Sequence, residues 1–251
     1  MANYKKNYLK QVVIRIDFEE VGLTKINQYL KKIKSHFSEV ERKLGYEGQF
    51  TLSFADGQPS QQQVSNPLTI WSLSNEDQSK KAELTSKWFW IEYSKYKNSD
   101  ALLQDIKDLL EAFVDDFEVK VINRVGLRYS NIIVPPETSK PTEWSKYINL
   151  DLIAGINYAK ESSVALSRYM GQMVKHSDDH DLQFNYGIWN PDFPNEIARK
   201  EFLLDFDCYS TLPMDTRDLV LSTIAKEFNA EIEALFENSI TEQLKIIMRR
   251  A

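Results

Sequence analysis

The sequence is short of the residues that most often announce chemistry. Its 251 positions hold one cysteine, Cys208, together with three histidines, eight glycines and eight prolines. A single cysteine excludes a disulfide framework and any zinc or iron–sulfur site built from several thiolates, and it fits a reducing cytosol. The low glycine and proline counts exclude collagen-like, glycine-rich and broadly disordered chains. No apolar run approaches the roughly 18 residues that cross a bilayer, and no basic-then-apolar leader opens the chain. We therefore expect a cytoplasmic protein without a membrane partner. Walker loops, dinucleotide-binding glycine patterns and Gly-x-Ser-x-Gly elbows do not occur, so nucleotide use and serine hydrolysis by those routes are not expected, and no cofactor is called for.

What is present describes a globular protein, with 42% hydrophobic and 27% charged residues. The length suits one large domain or two small ones. The net charge of −6 is unevenly spread. Residues 1–50 carry ten Lys and Arg against six Asp and Glu, residues 51–134 nine against twelve, and residues 135–251 twelve against nineteen. An acidic chain is a poor general binder of nucleic acid, although the basic start allows a local patch.

Alternation over Leu9–Phe18 predicts a half-buried strand. From Leu23 the apolar residues Ile26, Leu30, Ile33, Phe37, Val40 and Leu44 recur at three- and four-residue steps, which predicts a helix stopped by Gly45. Three strands are expected next, at Glu47–Ala55, Pro67–Leu73 and Ser86–Ser94, with an exposed loop over Asp56–Asn66. Asn98, Ser99 and Asp100 supply a cap for a helix running from Leu102 to Val114. Lys120–Val134 reads as a long strand ended by Pro135 and Pro136. The second half predicts a helical stretch at Thr142–Ile156 and strands near Ser163–Lys175, Leu182–Trp189 and Glu201–Tyr209. A long helix beginning at Asp215 or Thr216 follows, then a short terminal helix carrying Ile240, Leu244, Ile247 and Met248. Each half thus reads β-α-β-β-β-α. The expected fold is α+β: two pseudo-repeated units, 1–117 and 118–251, with antiparallel sheet and helices packed on it, the terminal helix being an addition to the second.

The segment Asn123-Arg124-Val125-Gly126-Leu127-Arg128-Tyr129-Ser130-Asn131-Ile132-Ile133 resembles the hallmark of a sporadically distributed prokaryotic family of unknown function, marked by Gly-Leu-Arg-Tyr-x-Asn-x-Ile. The segments Phe202-Leu203-Leu204-Asp205-Phe206-Asp207 and Phe236-Glu237-Asn238-Ser239-Ile240-Thr241-Glu242 are similar to that family too. The resemblance implies no activity; the patchy distribution implies a defence or mobile-element setting. The duplicated layout also resembles the TATA-binding-protein type of repeat, whose two units form a curved, saddle-shaped sheet, and duplicated small-molecule effector-binding domains.

Arg124 and Arg128 share one strand face with small Gly126 between them, and Asp205 and Asp207 share a face of a later strand. Buried arginine needs a partner, and its planar fork suits carboxylates. We expect at least one Arg–Asp pair linking the two strands, within an ionic network that also takes in Arg15 and Asp17. Arg124, Arg128, Asp205 and Asp207, with Tyr129 and Asn131 of the recognised segment, form the candidate partner- or ligand-binding set. Lys25, Lys31, Lys32, Lys34 and Lys43 lie off the apolar stripe of the first helix and are the nucleic-acid candidates. His176 and His180, in an acidic loop, are weak metal candidates. Trp88 and Trp90 are read as core anchors and Trp189 as a lid over a sheet edge, while Cys208 is read as a buried small hydrophobe. The expected function is a non-catalytic protein-binding or regulatory module, whose partner is another protein. The alternatives are nucleic-acid binding through a curved sheet or the basic first helix, and a metal-dependent hydrolase or nuclease using Asp205 and Asp207 or the two histidines.

Overall fold

The structure, a computed structural model, describes residues 4–55, 58–135, 140–160, 165–217 and 219–250, and between 47 and 65 the backbone alone. The first half comprises β1 (Leu9–Phe18), α1 (Ile26–Lys32), β2 (Glu39–Ala55), β3 (Gln58–Ser74), β4 (Lys80–Leu84) and β5 (Trp88–Tyr93). There follow α2 (Ser99–Asp105), a π-helical turn over Ile106–Glu111 and α3 (Ala112–Asp116). The second half opens with β6 (Val121–Ile133). A 3-10 turn (Leu150–Ile153) then leads into α4 (Ala154–Ala159). β7 (Tyr169–His176), β8 (Asp181–Ile188), β9 (Phe202–Ser210), a two-residue β10 (Met214–Asp215), α5 (Leu221–Ser239) and α6 (Glu242–Arg250) complete the chain.

The strands form one sheet in the order β2-β3-β4-β5-β1-β6-β9-β8-β7, with β10 beside β6. Each pairing is antiparallel. Period-2 alternation sends Val12, Ile14, Ile16 and Phe18 of β1 into the core, with Val125, Leu127, Tyr129 and Ile133 of β6 and Phe202, Leu204, Phe206 and Cys208 of β9. The helices cover that face. Leu102, Ile106, Leu109, Leu110 and Phe113 are buried along the segment 99–116, and Leu221, Ala225, Phe228, Ile232 and Phe236 along α5, which packs on β6 and β9. Antiparallel sheet with helices on one face is the α+β class expected. Among the described residues no helix is long and apolar enough to cross a membrane.

Several boundaries differ from expectation. The first helix ends at Lys32, and Val40 and Leu44 of its supposed stripe are exposed on β2. Gly45 lies inside that strand, where a Cβ would meet the Ile70 side chain at 2.5 Å, and does not cap a helix. Residues 58–66, read as loop, belong to β3; 56–57 lie outside the described residues. With β4, which the sequence did not announce, four strands stand between α1 and α2 where three were expected. The stretch 142–156 is turn and irregular chain up to Asn149, then the 3-10 turn, with regular helix only from Ala154. β7 starts at Tyr169, residues 163–164 lying outside the described residues. α5 begins at Leu221 instead of 215 or 216.

A hydroxyl chain ties the sheet to α5. Tyr129 Oη donates to Asn229 Oδ1 at 2.7 Å and meets Tyr96 Oη at 2.9 Å. Burial, first of all, pushes the Tyr96 phenol up to about 12 and holds Tyr129 well above the ordinary value of 10. A raised folded-state pKa stabilises fully below pH 10 and is lost as pH climbs through the folded value. We expect the unfolding free energy from urea titration to fall between pH 9 and pH 11, by about 1 kcal/mol for each such tyrosine, and the urea midpoint to fall with it. An unchanged midpoint across that window would contradict the burial of these phenols.

Candidate functional site

The sheet face away from the helices carries Gln11, Val13, Arg15 and Asp17 of β1, Trp88, Trp90 and Glu92 of β5, Arg124, Gly126, Arg128 and Ser130 of β6, and Leu203, Asp205, Asp207 and Tyr209 of β9. Register places these in rows across the strands. One row runs Glu92, Val13, Arg128, Asp207, Gln183; the next runs Trp90, Arg15, Gly126, Tyr209. Opposite charges therefore meet as cross-strand neighbours.

The expected Arg–Asp link between β6 and β9 is present twice. Arg128 grips Asp205 with two bonds, Nε to Oδ1 at 2.8 Å and Nη2 to Oδ2 at 3.0 Å. Asp205 also accepts from Ser130 Oγ and from Asn185 Nδ2 at 3.3 Å. Its side chain is 4% exposed, against 49% for Arg128. The bond to Asp205 raises the Arg128 pKa above its ordinary value, against the effect of burial. Arg124 folds back over Gly126, where a Cβ would lie 2.7 Å from its guanidinium, and reaches Asp207 at 3.6 Å. Burial pushes the Asp207 carboxyl up, although Arg124 and Arg128 pull the other way. Arg15 pairs with Asp17 at 2.7 Å and lies 5.4 Å from the Trp88 ring. Trp88 and Trp90 are thus half-buried on this face, while the core residues of β5 are Phe89, Ile91 and Tyr93.

Two adjoining concavities share Arg128. The smaller, about 460 Å³, is bounded by Arg15, Asp17, Arg124, Gly126 and Asp207. The larger, about 760 Å³, has Asp205 and Leu203 among its walls, with Met170, Ile188, Trp189 and Arg199. Trp189 is exposed at its rim, where Arg168 lies 4.3 Å from the Trp189 ring and 4.1 Å from Phe193. A largely apolar cleft of this size with a few converging polar groups is the usual form of a binding site.

Tyr129 and Asn131 point the opposite way. Both are buried under the helices, Asn131 donating to the Leu204 carbonyl at 3.3 Å, so neither is within a partner's reach. The five lysines do not form one basic helix face. Lys43 lies on β2, beside Glu41 at 3.0 Å, and Lys34 lies beyond the end of α1. Lys32 pairs with Asp116 and Lys25 with Glu118; Lys31 is exposed on α1.

His176 and His180 take separate partners. His176 Nδ1 lies 2.7 Å from Asp181, in the open. His180 turns beneath the sheet to Glu231 of α5, Nε2 to Oε2 2.6 Å, with Nδ1 2.7 Å from Asp179. Burial would depress the imidazole pKa; Glu231 and Asp179 outweigh it and raise it. Cys208 is buried as expected, and lies beside both groups. That trio was not foreseen: its members are 28 and 23 residues apart, and Glu231 sits off the apolar stripe of α5. Comparison with known proteins finds no family model and no curated protein that matches the chain.

Proposed function

We propose that the chain is a non-catalytic protein-binding or regulatory module that docks another protein on the helix-free face of its sheet. The observation that carries this is the self-neutralised charge of that face. Arg15, Arg124 and Arg128 each have a carboxylate partner within it, beside a largely apolar cleft. Phosphate contacts need unpaired positive charge, whereas the buried core of a protein interface is poor in free charge and rich in Trp and Arg. The fitting partner offers apolar side chains to the cleft and little net charge. The metal-dependent hydrolase reading draws little support from Asp205 and Asp207, which are committed to arginines.

The strand order supports reading 1–117 and 118–251 as copies of one unit. β1 and β6 run antiparallel at the centre, each flanked by the last long strand of its own half, β5 or β9, with the preceding strands outward. That winding accords with the saddle-type repeat the sequence resembles. The family resemblance is what favours a prokaryotic defence or mobile-element setting for this module.

A photo-crosslinking residue at Gln172, in the cleft wall, should trap one discrete protein at native expression. The same group at Glu227, on the outer side of α5, should not. Trp189→Ala should weaken the complex by about 2 kcal/mol, as truncated interface anchors do. Equal trapping at both positions would sink the assignment. So would a nucleic-acid adduct at Gln172 with steeply salt-dependent affinity.

A further inference from the structure

On the helix-covered side, three unlike donors converge from distant parts of the chain. His180 closes the turn between β7 and β8, Cys208 lies on β9 and Glu231 on α5. An imidazole nitrogen, the thiol sulfur and a carboxylate oxygen lie within 4.8 Å of one another. We propose that this cluster is a zinc site, with His180 Nε2, Cys208 Sγ and Glu231 Oε2 as the protein ligands and water from the hairpin side as the fourth.

The donor set selects the ion. Nitrogen, sulfur and oxygen together suit Zn²⁺, which takes four ligands in a tetrahedron. Calcium and magnesium ask for oxygen alone. The orientation is set from outside the cluster. Asp179 holds Nδ1 of His180 at 2.7 Å, which aims Nε2 inward, as carboxylates do behind zinc-bound imidazoles. Lys175 holds Glu231 Oε1 at 3.0 Å and leaves Oε2 to face the histidine. Cys208 is wholly buried and, among the described residues, its thiol enters no hydrogen bond. A packed thiol has no need of an imidazole and a carboxylate as neighbours; a metal ligand has. The histidine and glutamate side chains are 18% and 29% exposed, which gives the ion a way in.

Zinc entry replaces the His180–Glu231 hydrogen bond. The thiol proton and the proton shared between Nε2 and the carboxylate pass to solvent, and the freed lone pairs take the metal. Burial raises the Cys208 thiol well above its ordinary pKa, so the ion must offset that. The site is separate from the sheet face proposed for docking, and either can fail alone.

The test uses tag-free full-length chain, stripped with a chelator and titrated with zinc. One ion per chain should bind, and Tm should rise by about 5–10 °C at a hundred times Kd. Cobalt should give the intense near-ultraviolet band of a thiolate–metal bond. Cys208→Ser should abolish that band. His180→Ala and Glu231→Gln should each weaken binding at least about tenfold, and His176→Ala should change nothing. Glu231→Gln keeps a hydrogen-bonding group on a half-exposed helix position, so its metal-free melt shows that the fold is intact. An unchanged Tm at saturating zinc would mean an ion pair beside a packed thiol only, and would overturn the proposal. Binding that disappears in His176→Ala would overturn it too.

Discussion

Arg128→Ala is expected to lower the unfolding free energy by about 2–3 kcal/mol. The cost lies less in the arginine than in what it leaves behind. Asp205 is 4% exposed and would keep only Ser130 and Asn185. Asp205→Ala alone should cost nearer 1 kcal/mol, because the half-exposed guanidinium can turn to water. The double variant should recover most of the loss, since no buried charge then lacks a partner. Urea unfolding of the four proteins closes a double-mutant cycle with a coupling of about 2 kcal/mol. Strictly additive single losses would show that the bidentate pair contributes nothing and that the cleft floor is held by the backbone ladder alone.

Phe113→Ala should cost more, about 3–5 kcal/mol, with a Tm drop of about 6–15 °C for a chain of this size. Phe113 is fully buried at the meeting point of four rings: Phe18 at 5.3 Å, Tyr29 at 5.5 Å, Phe89 at 5.4 Å and Phe117 at 4.5 Å. Those rings come from β1, α1, β5 and the end of α3, so one side chain joins the helical layer to the sheet. Truncation removes edge-on ring contacts worth more than their area and opens a cavity that rigid neighbours cannot close. Phe113→Leu should retain most of the stability. Trp189→Ala, exposed at the cleft rim, should stay within about 0.5 kcal/mol of the parent. A Phe113→Ala melt within 2 °C of the parent, about the effect of 1 kcal/mol or less, would refute the central place given to that ring.

The central strands were legible because one face of each is core and the other is not. Alternation in β1, β6 and β9 follows directly from that asymmetry, and it was enough to expect an arginine of β6 to meet an aspartate of β9. The same rule misled at the first helix. Val40 and Leu44 are four residues apart, a spacing that satisfies one turn of helix and two pleats of strand equally. What decided for strand was pairing with β3, where Val40 faces Leu73 and Leu44 faces Thr69, a contact no local pattern contains. Residues 58–66 hid for the related reason that a polar, outlying strand has no apolar period. Trp88 and Trp90 share one strand face, as read, but it is not the core one; their strand gave that side to Phe89 and Ile91. Of His180, Cys208 and Glu231 only the histidine stood out in the sequence as a metal candidate, because the β7–β8 turn, β9 and α5 meet only in the folded chain.

The charge rows on the helix-free face have a kinetic consequence. Each arginine there is met by a carboxylate of the same face. Paired charges cancel within a few ångströms, and salt screens what remains beyond about 8 Å at physiological ionic strength. Such arginines add little to any long-range field. They would not steer the proposed partner from a distance, which leaves encounters near the unsteered rate of about 10⁵–10⁶ M⁻¹s⁻¹. For the docking proposed above, selectivity would then reside in how long the complex lasts once the cleft is filled.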